Sequence, residues 1–576
     1  MTNKDPRKAT YVSYYIYGIL ICFNLLLIAS CSDKRSTTGQ NTSGQSTLVK
    51  STLAQRDYLS PETLCGEVQF TDGCSSKLDT LIRFGIALIH HMTYEEAEYT
   101  FKKVIKLDAD CFWGYWGRAM TFIHPLWSDV PDEKTMEEGY ILSQTALKLA
   151  KTKKEKLYGA AIASYFQNDP SKTKPERLFA FNDAWQAASK DLPEDIEARL
   201  FAVLSTLATA PNDDKTFKKQ REAGAIAEMI LKKYPDHPGA YHYAIHAYDF
   251  PPLAENALRI ARSYYKIAPE LPHALHMPTH IFTRLGYWQE SIDLNLRAAA
   301  AAIKMPVEGK ISGQYFHALD YLAYAYLQQS EYKKAKALAI LLDTLSGSYA
   351  ASPNTAYALA AIPARTALEY QDWSGAAKLS LNTHSHFPWS KFPQMEALIY
   401  FAKGIGAARI GNVQQAWQSH QKLEELQNTF KKSEANKYWI DQIEIQKEAV
   451  KAWILFAQGE NEKALKTIAS AANLEDATEK LPVTPGQILP AREMLGDLLL
   501  ELKKPKEALV QYEHSLENCP GRFNSLYGAG KSAELLGDRK KAAAYFSLLL
   551  KNNKSSISDR ERLRYAQSII NKVAQK

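Results

Sequence analysis

The chain has 576 residues, 46% of them hydrophobic and 23% charged, the balance of a soluble globular protein long enough for several domains. Its formal net charge is +7, two units of which come from Lys4, Arg7 and Lys8 against Asp5. That is mild for the length and no basic tract stands out, which argues for a solvated mixed-charge surface and against a nucleic-acid partner.

Residues 1–30 read as a targeting segment rather than as fold. Lys4, Arg7 and Lys8 form a positive start, and an apolar run from Ile16 to Ile28 follows with Asn24 as its one strongly polar residue. The run is too short for a membrane span and of the right length for a signal peptide. It ends in Ile28-Ala29-Ser30-Cys31, which resembles the lipobox of bacterial lipoproteins. That resemblance implies cleavage before Cys31 and lipidation of its thiol. With Ser32 rather than Asp following, it also implies an outer-membrane address in the cell envelope, facing the periplasm or the exterior. The alternative is an uncleaved anchor. Residues 31–58, opening SDKRSTTGQNTSGQST after Cys31, cannot bury apolar surface and read as a flexible tether.

Six cysteines are present. Cys22 lies in the targeting segment and Cys31 is the lipidation site, which leaves Cys65, Cys74, Cys111 and Cys519. Export implies an oxidising compartment. Cys65 and Cys74 bracket CGEVQFTDGC, whose glycines allow a turn, so a small disulfide loop is expected there; the alternative is two free buried thiols. Cys111 is expected to be a small buried apolar residue.

From residue 59 onward one pattern recurs: a helix with a small residue, a Gly or polar turn, two charged residues, an alanine, and a second helix. It is clearest at 493–520, where Gly496, Ala508, Tyr512 and Pro520 fall at the spacing of a tetratricopeptide repeat. Ala542 follows Ala508 by 34 residues, and later spacings stretch to between 40 and 48. Other matches centre on Ala97, Ala257, Ser291, Ala335, Ala376, Ala416 and Ala464. One such pair cannot bury its own apolar face, so pairs must stack. The fold class expected is all-α, an irregular tetratricopeptide-type solenoid of about ten helix pairs. It divides into a histidine-rich half at 59–350 and a second half at 351–576. The best strand signal, VQF at 68–70, is weak.

The stretch from His237 to His280 holds six of the fourteen histidines. Further segments are ALIHHMTYEEAEYTF (87–101), HPLW (124–127), HPGAYHYAIHAYD (237–249), PHALHMPTHIFTRLGYW (272–288), HALDYLAYAYLQ (317–328) and PVTPGQILPAREMLGDLLLE (482–501). Through them the chain resembles a set of bacterial tetratricopeptide-repeat proteins, over most of its mature length. The resemblance implies the fold and supplies no reaction. This chain has Asp108-Ala109 where that set has Asp-Pro, which costs only a helix stop.

The resemblance also implies that positions two, five, nine and twelve of each first helix face a concave groove. Those spacings share one helix face. In that register His242, His246 and Asp249 fall at five, nine and twelve of one repeat. His273, His276 and His280 fall at two, five and nine of the next, and His317 and Asp320 at two and five of a third. First helices of neighbouring repeats run roughly 8–10 Å apart, so His242 and His246 should lie beside His276 and His280. Two histidines four apart can grip one metal ion, and neutral imidazole suits Zn, Cu or Fe. Asp249 or Asp320 would serve as a carboxylate ligand or orient an imidazole. Pro278 complicates this register: it either kinks the helix or starts it, and in the second case His273 and His276 belong to a loop. His90 and His124 end consecutive first helices and could meet on one rim. Trp116 and Gly117 read as core, and His384, His386, His420 and His514 read as surface.

Two functions fit. One is a lipid-anchored scaffold that binds a protein or peptide partner in its groove. The other is a metal-binding protein or metalloenzyme built on His242, His246, His276 and His280. A scaffold requires separated histidines among mixed polar and aromatic residues; a metal site requires ring nitrogens that converge. No HExxH, paired CxxC, GxSxG elbow, phosphate loop or dinucleotide fingerprint is present.

Overall fold

The computed structural model describes residues 59–70, 74–127, 129–211, 214–432, 437–478, 484–554 and 560–574. The targeting segment, the tether and Cys31 lie outside the described residues. The chain divides into two compact units, Asp57–Arg284 and a second that runs from Leu285 to the end. That division follows contact density, whereas a boundary at 350/351 follows histidine content, a different criterion.

In the first unit the helices are α1 (Ser76–His90), α2 (Tyr94–Leu107), α3 (Phe112–Met120), α4 (Glu133–Leu149), α5 (Lys153–Tyr165) and α6 (Lys174–Asp191). They continue with α7 (Ile196–Ala208), α8 (Lys218–Lys233), α9 (Pro238–Tyr248), α10 (Leu258–Ile267), α11 (Pro272–His276) and α12 (Pro278–Leu285). The second unit begins with α13 (Trp288–Ala302), α14 (Gly313–Gln328), α15 (Tyr332–Thr344), α16 (Pro353–Tyr370), α17 (Trp373–Ala377), α18 (Pro393–Arg409) and α19 (Val413–Lys432). It ends with α20 (Lys437–Ala457), α21 (Asn461–Ala477), α22 (Ala491–Glu501), α23 (Pro505–Asn518), α24 (Phe523–Leu535), α25 (Arg539–Asn552) and α26 (Glu561–Ala574).

The fold is all-α: among the described residues the only β pairing is two isolated bridges. Residues 68–70, the best strand signal, belong to no helix or strand. The segment is tied down by Glu67 N–H to the Asp236 carbonyl at 2.9 Å and Gln69 N–H to Glu197 Oε1 at 2.7 Å. Local chemistry starts several helices. Thr152 with Glu155, and Thr173 with Glu176, each form a reciprocal cap that satisfies donors at the first turns of α5 and α6.

What stacks the pairs is a ring held between two glycines. Phe101 on α2 lies against Gly85 of α1 and Gly117 of α3, where an added Cβ would stand 2.6 Å and 2.2 Å from the ring. Tyr512 on α23 lies in the same way against Gly496 of α22 and Gly528 of α24, at 2.8 Å and 2.3 Å. Both triplets have the same spacing in sequence. Each aromatic is buried, and the missing Cβ on either side lets three successive helices close on one ring. This is the tetratricopeptide packing that the sequence pattern predicts. Trp116 is fully buried, as expected.

Three expectations are corrected here. Cys74 is bonded to Cys111 across a Cα–Cα distance of 5.5 Å, while Cys65 is a free buried thiol. The Cys65–Cys74 loop therefore does not form, and Cys111 is a bridging residue rather than a simple core one. The α1–α2 hairpin brings the residues just ahead of α1 to the start of α3. His384 is not on the surface: it is buried, with Nδ1 2.9 Å from Tyr349 Oη and Nε2 3.2 Å from Asp343 Oδ1.

Candidate metal centre

Three local features of the first unit aim its histidines. Helix α1 ends in a 6→1 bond from Thr93 N–H to the Leu88 carbonyl, with Met92 left-handed at φ 52°. That ending leaves the His90 carbonyl without a helical partner, and His242 Nδ1–H donates to it at 2.6 Å. Helix α9 starts with Pro238 in its first turn and sets His242 and His246 one turn apart on one face. Pro278 does both things expected of it: it breaks the helix and starts α12, yet α11 holds His273 and His276 in helical conformation before it. The turn is thus carried across the break, and His276 and His280 still face one another.

The bond to the His90 carbonyl fixes the tautomer of His242: Nδ1 carries the proton and Nε2 keeps its lone pair. His246 Nε2 is 3.1 Å from that Nε2, and the rings of His242 and His273 are 5.0 Å apart. Ligand nitrogens of His242, His246 and His273 all lie within 4.8 Å of one another. His276 and His280 make a second pair, Nε2 to Nε2 at 3.0 Å. Here Asp249 Oδ2 accepts from His280 Nδ1–H at 2.9 Å, and Arg284 fixes Asp249 through Nε to Oδ1 at 2.9 Å and Nη2 to the backbone carbonyl at 2.8 Å. His280 is therefore also held with its Nε2 lone pair inward. The two groups adjoin, with ring centroids 6.4 Å apart for His246–His280 and 6.3 Å for His273–His276.

None of these five histidines is more than 9% exposed. Burial, reinforced by His246 and His273, holds the His242 imidazole far below its ordinary pKa and so neutral. A neutral imidazole whose other nitrogen is committed to a fixed acceptor is the form that binds a transition ion. The set suits Zn, Cu or Fe better than the hard cations that want oxygen.

The structure groups the expected residues differently in one respect. His273 joins His242 and His246, while His276 and His280 form their own pair. Asp249 stands behind His280 and not among the nitrogens. His317 and Asp320 lie on α14 in the second unit, both buried, and Asp320 Oδ1 is 2.6 Å from Arg365 Nη1. His90 and His124 are engaged separately, His90 with Tyr243 and Glu197, His124 with Asp129.

Several surrounding residues escape a reading of the sequence. His91 Nε2–H donates to the Cys65 carbonyl at 2.9 Å and Nδ1 accepts from Tyr264 Oη–H at 2.8 Å. The Tyr264 ring lies along that of His242, at 5.8 Å. Glu197, in the first turn of α7, accepts from His90 and from His237. The available signal was a glutamate set among Ile196, Ala198, Leu200 and Phe201.

The fold and its site define a class: an all-α helical-repeat protein of tetratricopeptide type with a buried polyhistidine cluster. No family model and no curated protein matches the sequence. Among solved structures the chain is similar to yeast Tom70, with 14% identity over 86% of this chain and 95% of that one and a TM-score of 0.29. It is also similar to the Cut9–Hcn1 hetero-tetramer of the APC/C, with 9% identity over 86% and 96% and a TM-score of 0.27. A third is the P58(IPK) TPR domain, with 12% identity over 87% and 100% and a TM-score of 0.19. At these values the description of the fold rests on the chain's own helix packing.

Proposed function

We propose that this is an exported, lipid-anchored metalloprotein whose helical repeats serve to build a polyhistidine centre. His242, His246 and His273 hold one transition ion, and His276 and His280 offer a second, adjoining pair of ligands. The observation that carries the reading is the convergence of buried imidazoles on one another, with His242 and His280 locked in the ligand tautomer by a carbonyl and by Asp249. In the metal-free chain one histidine of each pair must donate a proton to the other; an ion would take the place of that proton. The ion would supply Lewis-acid or redox chemistry according to its identity, and the chain supplies a buried set of nitrogens with His242 and His280 held in the ligand tautomer.

A peptide groove at these same residues is less well supported, because a peptide needs them accessible and they are buried. A scaffold role would fall to other surfaces of the repeats. The anchor at Cys31 and the envelope address belong to the proposal on the strength of the sequence alone.

Elemental analysis of the soluble chain from residue 32 onward, purified without a histidine tag, tests the reading. Near-stoichiometric metal is expected in the wild type, and its loss in a folded His242→Ala/His280→Ala variant. No retained metal after reconstitution with Zn, Cu and Fe overturns it.

A further inference from the structure

We infer that His90, Glu197 and His237 form a second cation site, distinct from the polyhistidine cluster and fit for one divalent transition ion. The three residues come from the end of α1, the first turn of α7 and the residue that precedes α9. They are far apart in sequence, and all three are fully buried. Glu197 Oε2 is 2.6 Å from His90 Nε2 and Glu197 Oε1 is 3.0 Å from His237 Nε2. Three ligand atoms, one from each, lie within 4.8 Å of one another.

The surroundings orient these groups as second partners orient metal ligands. His90 Nδ1 is 2.8 Å from Tyr243 Oη, so Nδ1–H can donate to the hydroxyl and leave Nε2 its lone pair; the His90 ring is stacked on Phe201 at 4.9 Å, and Gln69 N–H donates to Glu197 Oε1 at 2.7 Å. Gly239 closes the other side: a Cβ there would stand 2.5 Å from His90 Nδ1, so only glycine lets α9 come so near the imidazole.

Charge is the second argument. Glu197 is fully buried, so its carboxylate is removed from bulk water. Its hydrogen-bond partners among the described residues are one backbone N–H and two imidazoles, with no lysine or arginine. A buried carboxylate needs a cation or full hydrogen bonding to offset its desolvation. A divalent ion bound to Glu197 would supply that cation directly. Two imidazoles and one carboxylate suit Fe(II), Mn(II) or Zn(II). The ion would tie α1, α7 and α9 together. It would also steady the polyhistidine cluster, because the same His90 whose ring it binds holds His242 by its carbonyl.

The test uses Co(II) as the probe on the metal-stripped chain from residue 32 onward. A His242→Ala/His246→Ala/His273→Ala variant, checked for fold by far-UV circular dichroism, is expected to keep one tightly bound Co(II) per chain. Adding Glu197→Gln, which preserves the side chain's shape, is expected to abolish that equivalent. A folded triple variant that binds no Co(II), or one whose binding is unchanged by Glu197→Gln, overturns the inference. Anomalous diffraction from Co(II)-loaded wild-type crystals decides independently of any variant. A peak between His90, Glu197 and His237 is the expected result. Its absence from that position, whatever appears at the polyhistidine cluster, overturns the inference and leaves the other site to be judged separately.

Discussion

His91 and His242 hold their places as neutral rings, and that has a cost at low pH. Burial brings His91 down to about 3, and it drives His242 well below 6.5 together with His246 and His273. In the unfolded chain both titrate near the ordinary value of about 6.5. Below that pH the unfolded state binds more protons than the folded one, so stability falls as pH falls. The stability that these rings contribute is complete above about pH 6.5. For His91 it is lost progressively down to about pH 3, at roughly 1.4 kcal/mol for each unit. Urea melts of the metal-free protein between pH 7.5 and 4.5 should show the midpoint falling from just below pH 6.5. A midpoint flat to pH 5 would contradict the neutral-ring account. At this scale the sequence was legible where spacing carries the message. His242 with His246, and His276 with His280, are one turn apart, and Asp249 follows in the same register. Glu197, Tyr243, Tyr264 and Arg284 were not legible, because each acts on a ring reached only after the chain has folded back on itself. Tyr243 and His90, for example, are 153 residues apart.

An aromatic between two glycines sets the distance from one helix pair to the next. Tyr512 meets Gly496 on one side and Gly528 on the other, and it donates to Asp497 Oδ1 at 2.6 Å, so the ring cannot step aside. Gly528→Ala should therefore cost about 1–3 kcal/mol by overpacking, with a lowered chemical-denaturation midpoint. Adding Tyr512→Leu should give part of that back, since the shorter side chain leaves room for the methyl group. A Gly528→Ala variant as stable as the wild type would remove this packing account. The repeat was legible because the small residue, the aromatic and the turn recur at fixed intervals. The disulfide was misread for a related reason. Cys65 and Cys74 are close in sequence, but α1 and α2 form a hairpin, and a hairpin returns the chain to where it began. Cys74 thus meets Cys111, 37 residues on. In the chain-entropy picture a bridge closing a loop of this length contributes about 4 kcal/mol. Pro278 shows the limit of the same reasoning. The sequence left open whether it kinks a helix or starts one, and the local answer depends on α11 being stable against its neighbours.

Across the whole molecule the histidines are concentrated in the first unit, where short loops return α1, α7, α9 and α11 to one region. The second unit carries the longer repeats and buries further arginine–carboxylate pairs, with Arg522 bound to Glu493 at 2.7 Å and Arg365 to Asp320 at 2.6 Å. Among the described residues no helix is long and apolar enough to cross a membrane. The central claim is that the buried imidazoles bind a transition ion through nitrogen. X-ray absorption at the edge of the metal that copurifies with the soluble chain tests it most directly. The account predicts a first shell dominated by nitrogen near roughly 2.0–2.1 Å with the outer-shell pattern of imidazole rings. A shell of oxygen alone, or a protein that carries no metal at all, would contradict it.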